Sequence, residues 1–193
     1  MTGRLKNIAV FCGSTQGNNE AYIHGAMSLA TAMVEQNIGL VYGGGNRGLM
    51  GIVSTEVHRQ GMPVHGVLPS FFNVPEVRNG ECNSTFEVVP GMHERKARMA
   101  ERADGFIAMP GGIGTFEEFF EVFTWKQIHL HEKPVALFNI NGFYDGLLAF
   151  LETTRQQGFL SSEALQALIV DDDPHRLLER MSIQQTSLPS KLG

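Results

Sequence analysis

The residues best suited to chemistry lie together in one stretch. Thr115-Phe-Glu-Glu-Phe-Phe-Glu-Val-Phe123 carries Glu117, Glu118 and Glu121 directly after a glycine-rich turn, Pro110-Gly-Gly-Ile-Gly-Thr115. A turn of this kind opening a helix attracts anions. The first backbone N–H groups are free, the dipole end is positive, and glycine lets the backbone come close. Acidic residues near a helix start also suit the dipole, which accounts for Glu117 or Glu121. Three carboxylates beside an anion site are nonetheless an odd arrangement if a phosphate alone binds there. A carboxylate facing a developing cation makes more sense. Cleavage of an N-glycoside supplies such a cation, the oxocarbenium-like ribosyl group, which a carboxylate can stabilise while activating a water.

The departing base needs a proton or leaves with negative charge. An arginine could meet that charge or hold a phosphate through two hydrogen bonds. Gly91-Met-His-Glu-Arg-Lys-Ala-Arg-Met99 supplies candidates. Arg95, Arg98 and Arg102 recur at i, i+3, i+7, roughly on one helix face, with Lys96 beside them. On spacing alone a solvated basic face is the simpler reading.

These residues need a scaffold, and the chain alternates short apolar runs with amphipathic segments. Strands are expected at 7–12, 38–42, 63–68, 86–89, 105–109, 134–138 and 167–170. Helices are expected around 26–33, 48–59, 92–103, 115–130 and 143–157, and from Pro174 onward. Residues 70–84 read as a loop. In the helix after the third turn, Phe116, Phe119, Phe120 and Phe123 form a core stripe. The alternation predicts a single-domain, Rossmann-like, doubly wound α/β fold with a mostly parallel sheet. The domain spans residues 1–183, and 184–193 form a polar tail. Ligands in such folds sit beyond the carboxyl ends of the strands. Three glycine clusters fall there: Cys12-Gly-Ser-Thr-Gln-Gly17, Gly43-Gly-Gly-Asn-Arg-Gly48 and Pro110–Thr115. Together they make a nucleotide site the natural reading, although any one of them could serve only as a tight turn.

Other chemistries fit less well. Gly43-x-Gly45-x-x-Gly48 has the form of a dinucleotide fingerprint, but it follows the second strand, and the third strand ends without the expected acid. No Gly-Lys dipeptide supports a P-loop. Pyridoxal-phosphate decarboxylation needs a Schiff-base lysine, and Lys96, Lys126 and Lys133 lie in no such context, Lys133 reading as surface. Cys12 ends a buried strand and reads as core. His129 and His131 lack a third metal ligand, so no metal is expected, and Trp125 reads as core or interface. With a net charge of −5, nothing favours nucleic-acid or anionic-membrane binding. The polar start of the chain and the lack of a spanning apolar run make the cytoplasm the expected location.

Pro110-Gly-Gly-Ile-Gly-Thr-Phe-Glu-Glu118 matches PGGxGTxxE, and Arg95-Lys-Ala-Arg-Met99 matches RKxxM. Together they resemble the LONELY GUY (LOG) family of cytokinin riboside 5'-monophosphate phosphoribohydrolases. Cys12-Gly-Ser14, Tyr42–Gly51, Thr124-Trp125, His131–Pro134 and Gly158-Phe159 look like the family as well, so the likeness runs to about residue 180. It implies a homodimer that acts on a nucleoside monophosphate without a cofactor. It implies catalytic roles for Arg95 and Glu118, with phosphate on Gly111, Gly112, Gly114 and Thr115. The nucleotide is expected across all three turns, against Ser14, Gly43, Gly44 and Gly45. Lys96 and Thr124 fall at substrate-contact positions, and Glu76 matches a further ligand-contacting acid. A non-catalytic nucleotide-binding module is the alternative.

Overall fold

The computed structural model describes residues 5–79 and 82–184. The expected polar tail lies outside these apart from Gln184, whose side chain donates to the Ala167 carbonyl at 2.9 Å.

Among the described residues seven strands form one sheet: β1 (Asn7–Phe11), β2 (Gly39–Tyr42), β3 (Val64–Pro69), β4 (Thr85–Val89), β5 (Gly105–Ala108), β6 (Val135–Phe138) and β7 (Leu168–Asp171). Their order is β4-β3-β2-β1-β5-β6-β7, and every strand pair is parallel. The helices are α1 (Glu20–Glu35), α2 (Gly48–Arg59), α3 (Met92–Arg102), α4 (Ile113–Gln127), α5 (Asp145–Gln156), α6 (Ser162–Gln166) and α7 (Pro174–Ile183). Among the described residues no helix is long and apolar enough to cross a membrane.

Side chains alternate across a strand, so the central strands feed two cores. Ile8, Val10, Leu40 and Ile107 pack with α1, α2 and α7 on one face. Ala9, Phe11, Val41 and Phe106 pack with α3, α4, α5 and α6 on the other. Strands covered on both faces become continuous apolar runs, which is what the sequence shows.

Three local features differ from the sequence reading. The five-residue α6 was not expected; it is too short to show a period, and its visible signal is Ser161, whose hydroxyl caps the Ala164 N–H at 3.1 Å. The segment 70–84 is irregular but tied down. It opens with a 3₁₀ turn, Ser70–Phe72. Asn46 N–H donates to the Val77 carbonyl at 2.9 Å, and Asn79 N–H donates to the Gly44 carbonyl at 3.0 Å. Phe120 is the exception in the aromatic stripe of α4. It is 38% exposed, against 1% for Phe119 and 2% for Phe123, because consecutive residues are turned about 100° apart and only one can point straight at the sheet.

The order of connection reverses between β1 and β5, so the crevice of this sheet opens between their carboxyl ends. Gly13 N–H bridges it, donating to the Pro110 carbonyl at 3.0 Å. Two of the three glycine clusters meet at that bridge.

Candidate active site

A cleft of about 600 Å³ lies over this crevice. Its wall includes Ser14, Gly43, Gly45, Arg95, Gly112, Gly114, Thr115 and Glu118, so eight of the expected site residues converge from four separate segments. Gly111 is tucked beneath, with a Cβ built on it falling 2.1 Å from Thr115 Oγ1. Gly44 turns away toward Leu68 and Phe86 with φ +75°. Glu76, Lys96 and Thr124 do not line this cleft.

Arg95 and Glu118 form the floor. Each is only 8% exposed. Arg95 Nη1 donates to Glu118 Oε1 across the gap between α3 and α4. Arg95 Nε donates to the Val67 carbonyl at the end of β3, at 3.3 Å. No hydrogen bond from the described residues reaches Glu118 Oε2. Burial pushes the Glu118 carboxyl above the ordinary value of 4.5, while the Arg95 charge pulls the other way. A carboxylate held this way is poised for proton transfer and for facing a cation.

The basic face expected on α3 is therefore divided. Arg95 turns inward. Arg98 and Arg102 turn toward Glu87 on β4, both at 2.9 Å, on the exposed edge of the sheet. The three carboxylates of α4 divide as well. Glu118 faces Arg95, whereas Lys96 Nζ binds Glu117 and lies 3.0 Å from Glu121. Burial alone would lower the Lys96 ammonium, but these two carboxylates outweigh it and raise it. Neither Glu117 nor Glu121 sits in the first turn of α4, so the helix dipole is not their partner. Lys96 reaches the site through Glu117, which does line the cleft.

The helix N-termini at the glycine clusters are not equivalent. Asn19 caps α1, its side chain accepting from Ala21 N–H at 2.9 Å. At α2, Leu49 N–H already donates to the Gly13 carbonyl at 3.0 Å. At α4 the N-cap is Gly112, which has no side chain to cap the helix. Cβ atoms built on Gly112 and Gly114 would meet nothing within 4 Å. The third turn alone thus combines an uncapped helix start with open space. Tyr144 braces it from behind, its buried hydroxyl donating to the Met109 carbonyl at 2.6 Å.

The opposite wall was not read from the sequence. Met50, Leu68, Phe72, Val77 and Met92 give it an apolar lining, and Asn46 and Arg47 add polar groups. The apolar residues come from α2, β3, the 70–84 segment and α3, so no local pattern groups them. Arg47 lies inside the second glycine cluster, where the glycines dominate the pattern.

The remaining candidates serve the fold. Cys12 also touches the cleft, but it is buried, and burial pushes its thiol well up, which leaves it unreactive. His131 Nε2 donates to the Val122 carbonyl at 3.0 Å and its Nδ1 accepts from Lys133 N–H at 3.1 Å. His129 pairs instead with Glu132 at 3.1 Å. Their rings serve different partners, and among the described residues no group of three or more His, Cys, Asp or Glu side chains could hold a metal.

Comparison with known proteins places the chain. It is 47% identical over 176 residues to the cytokinin riboside 5'-monophosphate phosphoribohydrolase LOG2 of Arabidopsis thaliana, spanning 91% of this chain and 82% of that one. It belongs to the LOG family. A rice relative, named probable cytokinin riboside 5'-monophosphate phosphoribohydrolase LOGL6, is 42% identical, covering 94% of this chain and 72% of its own. The family profile described as "Possible lysine decarboxylase" matches residues 50–181. Among solved structures, the molybdenum cofactor binding protein from Rippkaea orientalis superposes with a TM-score of 0.69 at 21% identity, over 92% of this chain and 95% of that one. The last likeness is one of fold alone.

The decarboxylase description finds no support in this LOG chain's lysines. Among the described residues none lines the cleft. Lys96 is held by Glu117 and Glu121. Lys126 is buried, donating to the Glu132 and Lys133 carbonyls at 3.3 and 3.2 Å. Lys133, expected at the surface, is half-buried and donates to the Ala100 carbonyl at 2.7 Å. Burial lowers the Lys126 and Lys133 ammonium groups, but a Schiff base needs the amine in the site. With no lysine among the described residues presented to the cleft, pyridoxal phosphate does not fit.

Proposed function

We propose that this protein hydrolyses the N-glycosidic bond of a nucleoside 5'-monophosphate of the cytokinin riboside class, releasing the base and ribose 5-phosphate. The observation that carries the reading is the buried Arg95–Glu118 pair under a cleft whose rim is an uncapped, glycine-lined helix start. The names of the relatives agree with it.

The phosphate lies on the α4 turn, received by the N–H groups from Gly112 to Thr115. The ribose then falls over Glu118, and the base extends toward the apolar wall of Met50, Leu68, Phe72 and Met92. As the bond from C1' to the base nitrogen lengthens, positive charge grows on the ribosyl group and Glu118 faces it. A water attacks C1', and Glu118 accepts its proton. The electrons of the broken bond go to the base nitrogen, which takes up a proton from solvent as it leaves, and Glu118 then returns the proton it took from the water to solvent. Arg95 fixes Glu118 and offers hydrogen-bond donors to the departing negative charge. Only groups of this chain are needed.

Purified protein incubated with AMP and with isopentenyladenosine monophosphate tests the reading through release of free base and ribose 5-phosphate. Binding of both without release would make this a nucleotide-binding module. A change at the phosphate turn separates binding from folding. Gly112→Asp places a favoured capping residue at the α4 N-cap and a negative charge where the phosphate lies. Stability is expected to hold or rise slightly, by a few tenths of a kcal/mol. KM for the nucleotide is expected to rise by about tenfold or more, since like charges are brought together. An unchanged KM would move the phosphate off this turn.

The functional unit is a homodimer. An exposed face of α4 and the residues after it supports this, with Phe120 38%, Ile128 40% and Leu130 67% exposed beside the half-buried Trp125. Leu130→Glu should shift the mass in light scattering from dimer to monomer. A wild-type monomer would refute the assignment.

A further inference from the structure

Gly43 directly follows the second strand, in a turn that looks like part of the nucleotide cradle. The space beside it is already occupied by the protein itself. A Cβ built on Gly43 would lie 1.8 Å from Arg95 Nη2 and 3.0 Å from Arg95 Cζ. Ordinary contact between such atoms needs about 3.5 Å. The Gly43 backbone is not in the left-handed region, unlike Gly44 and Gly48, so its dihedrals do not demand glycine. What demands it is the guanidinium packed against it.

The geometry points to Gly43 as the positioning residue for Arg95: its missing side chain is the seat in which the catalytic guanidinium lies. Arg95 is then fixed from three elements. The Val67 carbonyl on β3 takes Nε, Glu118 on α4 takes Nη1, and the bare backbone after β2 carries Nη2. A methyl group at position 43 cannot share that volume. The guanidinium is the movable partner, because it ends a long side chain whereas the strand is locked in the sheet. Alanine therefore shifts Arg95 by an ångström or more and breaks its alignment with Glu118, while the fold is largely kept. Displacements of that size cost on the order of 100-fold in rate. The inference rests on the phosphoribohydrolase reading for the word catalytic, but not for the seat itself.

A double-mutant cycle tests it. Gly43→Ala should lower kcat about 30- to 100-fold, with KM for AMP changed by no more than about threefold. In an Arg95→Lys background, whose ammonium lacks Nη2, Gly43→Ala should cost no more than about threefold further. Losses that simply multiply, or a raised KM at unchanged kcat, would overturn the seat and make Gly43 a substrate contact. The Arg95 Nε–Hε resonance provides a readout that needs no turnover. It should shift or broaden in Gly43→Ala, and an unmoved signal would also overturn the proposal. Should the wild type release no base, the functional reading fails, while the resonance still decides whether Gly43 seats Arg95.

Discussion

Glu118→Gln is expected to abolish base release while leaving the nucleotide bound. The amide is nearly the same size as the carboxylate, and its oxygen can still accept from Arg95 Nη1, so the packing of the floor survives. What is lost is the negative charge beneath the ribosyl cation and the ability to take a proton from water. General base catalysis alone contributes about 10²- to 10⁴-fold. A loss of about 10³-fold, or about 4 kcal/mol of transition-state stabilisation, is the expected size. It should appear in kcat, with the dissociation constant for AMP within about threefold of wild type, because the phosphate is held one turn away. Single-turnover base release and a thermal-shift titration with AMP read the two quantities separately. Full activity in Glu118→Gln would remove Glu118 from the chemistry. Glu117 would then be the carboxylate to examine, since it also lines the cleft.

How much of this was legible in the sequence depends on the range of the interaction involved. The alternation of buried strands and helices is local, and among the described residues it located all seven strands and six of the seven helices. The glycine clusters are local too, and their position after strands put them on the correct edge. The division of labour within each cluster of like residues was not legible. Arg95, Arg98 and Arg102 share one periodic pattern, and only the sheet order decides that Arg95 meets Val67 and Glu118 while the others meet Glu87. The same holds for Glu117, Glu118 and Glu121, which Lys96 sorts from across the α3–α4 interface. Family motifs named Arg95 and Glu118, but they do not explain why those two are buried. The apolar wall of the cleft is assembled from separate elements, so no window of sequence contains it. The second glycine cluster shows the limit most plainly. Glycine there could mean phosphate approach, a left-handed turn or room for a neighbour. Gly44, with φ +75°, is the second case, and Gly43, pressed against Arg95, is the third.

Arg95→Met should produce the second large effect, and its pH dependence identifies the cause. Removing one end of a buried ion pair leaves the other charge without compensation, a change that costs about 3–5 kcal/mol when the remaining group stays ionised. Glu118 can escape most of that cost by taking a proton. Its carboxyl is already raised above 4.5 by burial, with Arg95 opposing the shift. Without Arg95 it must rise further. A carboxyl whose folded value exceeds its unfolded value favours the folded state most at low pH. That contribution is lost as pH rises through the folded value. The melting temperature of Arg95→Met should therefore lie near that of wild type at about pH 5 and fall progressively below it toward about pH 8. Base release should drop by about 100-fold or more, and the acid limb of kcat/KM should move to higher pH, because more base is needed to ionise Glu118. The double variant Arg95→Met/Glu118→Gln separates electrostatics from packing. With no charge left to bury, it should recover stability at high pH, although it cannot recover activity. If the Arg95→Met melting curve kept its distance from wild type at every pH, the pair would be held by packing alone. The raised carboxyl of Glu118 would then not be the group that Arg95 controls.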